Sequence, residues 1–140
     1  MDLFGRMVHK ADVWVNELMH ETGAYDRHGA LRALRAGLHA LRDRLTLAET
    51  VKLGAQLPTI VRGIYFECWT PAHQPVRIRN KQEFLALVER ELRPNDPDPE
   101  TVARAVFLLL RHHVSAGEIA NVRDILPKPI EALWEPEALA

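Results

Sequence analysis

Apolar side chains recur at three- and four-residue steps along most of this chain, which is the spacing of one face of an α-helix. Strand-like alternation is limited to residues 76–79, a run too short and too isolated to form a sheet. The pattern therefore predicts an all-α protein. Its clearest apolar stripe consists of Leu31, Leu34, Leu38, Leu41 and Leu45.

The pattern of the first half returns in the second half when the chain is shifted by 69 residues. Each half contains four predicted helices, so we predict two tandem four-helix repeats packed into one compact helical domain. The matched positions include Arg35 with Arg104, Arg42 with Arg111, Thr46 with Ser115, Glu49 with Glu118, Leu57-Pro58 with Leu126-Pro127, and Tyr65 with Trp134.

The predicted organisation is a single helical domain over residues 1–140. Repeat one covers about 10–69, and a proline-containing connector covers about 70–79. Repeat two covers about 80–134 and is followed by a short C-terminal tail over 135–140. Because each half is small for an independent hydrophobic core, we expect the two halves to pack against each other.

Polar residues and glycine mark where several helices begin and end. The first helix is predicted over about 10–22, and Gly23 supplies a left-handed stop. The second helix is predicted over about 26–44. In the second half, Asn80 and Asp98 have the sequence context of residues that cap the start of a helix.

Two further helix starts carry the most tempting candidate chemistry. Thr46 is followed three residues later by Glu49, and Ser115 by Glu118. This spacing predicts reciprocal capping boxes, in which the hydroxyl and the carboxylate each bind a backbone N–H group. Paired carboxylates also serve general acid–base catalysis, but the capping interpretation already explains the spacing. No residue is therefore predicted to be catalytic, and we expect no enzymatic activity.

Four arginines occupy matched positions of the two halves: Arg35 and Arg42, Arg104 and Arg111. Arginine at the border of a core commonly lays its stem over apolar surface and pairs with carboxylates, so a structural role is expected first. The alternative is that all four guanidinium groups frame an anion- or ligand-binding groove between the repeats. Trp69 has no counterpart in the second half, and it either packs against the core or anchors a partner.

Composition narrows the possible functions of this 140-residue chain. The 18 basic and 19 acidic side chains nearly cancel, which argues against a general nucleic-acid-binding protein. Cys68 is the only cysteine, so an intramolecular disulfide and a cysteine-built metal site are excluded. No metal or cofactor is predicted. Without an apolar run of about 20 residues, we expect no membrane segment and a cytoplasmic location.

Several motifs in order carry a resemblance to a known family. They are Leu57-Pro58 to Tyr65, Phe84-Leu85, Ser115-Ala116-Gly117-Glu118, and Leu126-Pro127 to Trp134. The chain resembles, from about Trp14 to Trp134, the bacterial family of domain of unknown function twenty-two sixty-seven. The resemblance implies a small, soluble, all-helical bacterial protein and assigns no catalytic residue. Cys68 departs from the family pattern, because glycine or another small or polar residue is expected before Trp69.

Two functional hypotheses remain from the sequence. The first is a non-enzymatic helical-repeat module that binds another protein or forms a homo-oligomer, since repeat proteins present surfaces built jointly by their units. The second is a small-ligand or anion-binding protein that uses the arginine groove.

Overall fold

The computed structural model describes residues 1–136, so the last four positions of the predicted tail lie outside the described residues. That part of the chain contains eight α-helices and no strand, which confirms the all-α prediction. The helices are α1 (Leu3–Thr22), α2 (Arg27–Arg44), α3 (Leu47–Ala55), α4 (Thr59–Tyr65), α5 (Lys81–Glu89), α6 (Pro99–His113), α7 (Ala116–Ile125) and α8 (Lys128–Glu131). Two short 3-10 turns cover Pro71–His73 and Ala132–Trp134.

Helix α1 begins seven residues earlier than predicted, at Leu3 and not near Lys10. The predicted start was wrong because Asp2 supplies a cap that the sequence analysis overlooked. Its carboxylate accepts a hydrogen bond from the Gly5 N–H at 2.7 Å. The predicted end is correct: Gly23 adopts a left-handed φ of 70°, and its N–H donates to a carbonyl in the last turn.

The hydrophobic core lies where α1, α2 and α6 pack against one another. Helices α2 and α6 approach closely because Gly37 has no side chain. A Cβ atom at that position would lie only 2.5 Å from Cγ2 of Val106. The apolar stripe of α2 is buried here except for the partly exposed Leu31, and α6 contributes Phe107, Leu109 and Leu110, which are inaccessible to solvent.

The shorter helices surround this core in a way that brings distant parts of the chain together. Helix α3 packs against α7 and α4, while α5 packs against α2 and α6. The connector is held to α2 by a hydrogen bond from the Val76 N–H to the Asp43 carbonyl at 2.9 Å. The α3–α7 contact is the one that creates the candidate site.

The N-terminal turns of α1 extend beyond the core. Leu3, Phe4 and Val8 remain exposed, whereas Trp14 and Leu18 on the same helix are buried. None of the helices within residues 1–136 combines the length and apolar character required to cross a bilayer.

Candidate functional site

The α3–α7 contact places two glutamates from distant parts of the sequence inside the protein. Glu49 lies in the first turn of α3 and Glu118 in the first turn of α7. Only 5% of Glu49 and 4% of Glu118 is accessible to solvent. These two residues occupy matched positions of the 69-residue offset, and the contact between α3 and α7 brings them together.

Both helices begin with the predicted hydroxyl cap, but the reciprocal half of the capping box is not formed. Oγ1 of Thr46 accepts from the Glu49 N–H at 3.2 Å, and Oγ of Ser115 accepts from the Glu118 N–H at 3.3 Å. The Ser115 N–H donates to Oε1 of Gln56 at 3.0 Å and not to Glu118. The prediction that both carboxylates return to their own caps is therefore corrected: the contact between α3 and α7 turns them towards each other.

One cation faces the glutamate pair. Nζ of Lys52 lies 3.5 Å from Oε2 of Glu49 and 3.8 Å from Oε1 of Glu118. Lys52 is largely exposed, so water screens much of its attraction for the carboxylates. The other two carboxylate oxygens, Oε1 of Glu49 and Oε2 of Glu118, are buried and accept no hydrogen bond.

A shared proton satisfies this arrangement. Burial raises the pKa of Glu118 to about 7, and the hydrogen bond and the negative charge of Glu49 act in the same direction. With one proton between them, one carboxyl group donates and the other accepts, so a buried like-charge pair is avoided. Burial also raises the pKa of Tyr65, whose hydroxyl donates to the Thr50 carbonyl at 3.0 Å.

The pair can hold a proton, but it is closed to substrates. Because both side chains are almost fully buried, a substrate could reach the carboxyl groups only after α3 had separated from α7. Among the described residues, no group of three or more His, Cys, Asp or Glu side chains is placed to hold a metal ion.

The structure places two of the predicted arginines on main-chain carbonyl groups. Nη1 of Arg42 donates to the carbonyls of Tyr65 at 2.7 Å and Glu67 at 2.8 Å. At the matched position, Nη1 of Arg111 donates to the Trp134 carbonyl at 2.8 Å. Arg42 therefore binds the C-terminal end of α4, and Arg111 binds the end of the 3-10 turn that follows α8.

The other two arginines bind acidic side chains. Nε of Arg35 donates to Glu67 at 2.8 Å, and Nε of Arg104 donates to Glu100 at 2.9 Å. The pairing raises the pKa of Arg35, with the Glu67 hydrogen bond as the largest cause.

Arg104 and Arg111 line one cleft of about 470 Å³, but Arg35 and Arg42 do not. The structure therefore does not bring the four arginines together in one groove. The acidic side chains around the cleft also outnumber its two arginines, which makes it poorly suited to an anion. They are Glu21, Asp98, Glu100 and Glu135.

Trp69 is half-buried in the connector. Its indole N–H donates to Oε1 of Gln74 at 2.6 Å, and its ring lies 5.1 Å from the ring of Phe66. Gln74 in turn donates from Nε2 to the carbonyls of Arg42 at 2.6 Å and Leu45 at 2.7 Å. These contacts place Trp69 against the first half of the molecule.

Sequence reasoning missed two polar residues that join separate parts of the fold. Gln74 has no distinguishing pattern in the sequence. His39 lies in the apolar core region of α2, where its ring nitrogens contact the Glu91 carboxylate and the Ile64 carbonyl, both at 2.7 Å. The position of His39 on the buried face of α2 was the available signal, because a buried histidine needs partners.

A family model described as an uncharacterized conserved protein, DUF2267, matches residues 11–133. The chain belongs to this family. The match confirms the resemblance found from the sequence motifs and includes both glutamates and all four arginines. A search of curated proteins finds no match.

Proposed function

We propose that this DUF2267 chain is a non-enzymatic helical module that associates with another protein or with a second copy of itself. The observation that carries this proposal is the exposed apolar surface at the N-terminal end of α1. Phe4 is 73% exposed, and Leu3 and Val8 are each about half exposed. Full burial of a side chain of this type would contribute a favourable free energy of about 1.5–3 kcal/mol.

The exposed residues continue a stripe that the core uses further along the same helix. At 100° per residue, Phe4 and Val8 project on the side of α1 that also carries Trp14, Val15 and Leu18. The core covers the last three residues and leaves the first two uncovered. An apolar stripe that extends past its own core is typical of a helix that packs against a further element.

The proposal includes an internal duplication of a four-helix unit. It is supported by the gap-free 69-residue offset and by matched contacts, since Arg42 binds the Tyr65 carbonyl as Arg111 binds the Trp134 carbonyl. In both pairs the arginine precedes the carbonyl by 23 residues. These carbonyl contacts account for the positions of Arg42 and Arg111 without a bound ligand.

Light scattering on the size-separated protein tests the proposal. We expect a mass above the 15.9 kDa of one chain, or a crosslinked partner in a pulldown, and loss of that species in the double variant Phe4→Gln, Val8→Gln. Tyr25→Gln is the matched control, because Tyr25 is 96% exposed and lies outside α1. A monomer that recovers no partner, or a complex that the double variant leaves intact, contradicts the proposal.

Binding of a small ligand that is not a simple anion is the second candidate, and the cleft beside Arg104 and Arg111 is the observation that favours it. Native mass spectrometry of the freshly purified protein tests this possibility through a retained small molecule. The variant Arg104→Met should release such a ligand, whereas Arg35→Met, outside that cleft, should retain it. Lower stability of both variants without any retained ligand would leave the arginines with a structural role alone.

A further inference from the structure

Glu49 and Glu118 join the two halves of the chain through a contact between α3 and α7. We propose that these two glutamates form a proton-operated clasp, which is closed while their carboxyl groups share one proton and loosens when both are ionised. The clasp would make the α3–α7 contact sensitive to pH near neutrality. This role goes beyond association through α1, because it concerns a different surface and a different chemistry.

The geometry provides one carboxyl group from each helix at a buried contact. Each group has one oxygen directed towards Lys52 and one buried oxygen without a partner. A single proton supplies the missing donor between the helices. Loss of that proton leaves two negative charges in a site that is closed to water, and separation of α3 from α7 would rehydrate them.

The neighbouring groups compensate only partly for two negative charges. Lys52 of α3 attracts both carboxylates from the solvent side, and Asn121 of α7 stabilises the ionised form of Glu118 by hydrogen bonding. Tyr65 of α4 is neutral in this pH range, because burial raises the pKa of its hydroxyl. One exposed lysine is therefore the only cation within ion-pair distance of the glutamates in the described chain.

The arginines and histidines of the packed helices are directed to other partners, and Asp124 of α7 is exposed. Arg62 of α4 donates to the carbonyls of Gly54 and Ala55 at the end of α3, and Arg123 of α7 pairs with Glu131. At the end of α6, Arg111 binds the Trp134 carbonyl, while both histidines contact Glu17 of α1. The local charge balance of the clasp therefore depends on the two glutamates and Lys52.

The direction of the pH effect follows from where the proton resides. The pKa of Glu118 is about 7 in the folded protein and has its ordinary value of 4.5 in the unfolded chain. Between these two values the folded state binds one more proton than the unfolded state. The stability that this proton contributes is complete below pH 4.5 and is lost as the pH rises towards 7.

Hydrogen exchange of the α3 and α7 amides tests the clasp. After correction for intrinsic exchange rates, we expect their protection in the wild-type protein to fall by up to about a hundredfold between pH 5 and pH 8, since each pH unit within the window is worth at most a factor of ten. Amides of α2 and α6 in the core should change less. Wild-type protection of α3 and α7 that is constant over this range overturns the proposal.

Substitution separates the effect of the glutamates from that of other groups in the protein. Glu118→Gln keeps a donor towards Glu49 at every pH, so α3 and α7 should be better protected than in the wild type at pH 8. The same change at the exposed Glu89 should leave the wild-type pH dependence intact. A Glu118→Gln protein that keeps the full pH dependence contradicts the clasp.

Infrared spectroscopy of the wild-type protein provides a test that does not depend on a variant. A protonated carboxyl group retains its carbonyl band, and we expect that band to persist at pH 6 and to disappear with a midpoint near 7. Glu49→Gln and Glu118→Gln should each remove it. If all carboxyl bands vanish near pH 4.5, or if the band persists in both variants, the glutamates do not share a proton.

Discussion

The two halves of the molecule end differently, although the same offset relates their arginines and aromatic residues. In the first half, Arg42 is 3% exposed and holds the carbonyls of Tyr65 and Glu67. In the second half, Arg111 is exposed and holds the Trp134 carbonyl at the edge of a cleft. The same kind of arginine–carbonyl contact is thus buried in the first half and lies at the surface in the second half.

The connector produces this difference. Phe66, Trp69 and Gln74 follow Tyr65 and cover the first half, where Gln74 binds two carbonyls at the end of α2. After Trp134, residues 135 and 136 border the open cleft. The contribution of each arginine–carbonyl contact to stability is therefore set by the segment that covers it, because burial turns a lost hydrogen bond into an unsatisfied group.

Removal of the arginines should have the largest and most unequal effects. Arg42→Met leaves two carbonyls without their donor in a nearly closed region, so we expect it to lower the free energy of unfolding by about 3 kcal/mol. Arg111→Met should lower it by about 1 kcal/mol, because water can hydrate the Trp134 carbonyl. Urea denaturation followed by circular dichroism measures both. Equal losses would show that the covering of the first half has no energetic consequence.

Local capping was the part of the fold most accessible from the sequence. Thr46 and Ser115 act on the backbone three residues away, so their roles depend on little beyond the adjacent chain. The early start of α1 was equally local, and the Asp2 cap was simply overlooked. Such interactions can be predicted from the sequence because their partners lie in the adjacent chain and do not depend on tertiary packing.

The glutamate pair could not be derived in the same way. A glutamate three residues after a capping hydroxyl can bind its own cap or turn into a helix contact, and the spacing is identical in both cases. The choice was made by α7 packing against α3, which brings together positions 69 residues apart in the chain. The partners of Arg42 and Arg111 could not be predicted from the sequence either. Their acceptors are main-chain carbonyls, which every residue carries whatever its side chain.

Loosening the contact between the connector and α2 should reduce the difference in stability cost between Arg42→Met and Arg111→Met. Gln74→Ala removes hydrogen bonds to the carbonyls of Arg42 and Leu45, so we expect the free energy of unfolding to fall by about 2 kcal/mol. In that background, Arg42→Met should cost less than it does in the wild-type protein. A thermodynamic cycle of the two single variants and the double variant measures this coupling.

Gln82→Ala provides the matched control for the connector, because Gln82 is exposed on α5. It should change the free energy of unfolding by no more than about 0.5 kcal/mol. Strict additivity of Gln74→Ala and Arg42→Met would mean that the connector and the arginine stabilise the first half independently.

The smallest predicted effect concerns how each half joins its third helix to its fourth. In the first half, Nε of Arg62 donates to the Gly54 carbonyl at 2.9 Å, whereas at the matched positions Arg123 forms an ion pair with Glu131. The Arg123–Glu131 pair is partly exposed, and salt screens such a pair more than it screens a hydrogen bond to a neutral carbonyl. Arg123→Met should therefore cost about 0.5 kcal/mol in dilute buffer and almost nothing in 1 M salt.

Arg62→Met should cost about 1 kcal/mol at both salt concentrations, because its acceptors are main-chain carbonyls in the last turn of α3 and just after it. Urea denaturation in the two buffers compares the variants directly. Equal salt dependence would mean that the charge of Arg62 acts through carboxylates and not through those carbonyls. At the matched positions, Gly54 corresponds to Arg123, and Arg62 corresponds to Glu131. Different salt dependence of the two variants would therefore show that the same helix junction is stabilised by hydrogen bonds to carbonyls in one half and by an ion pair in the other.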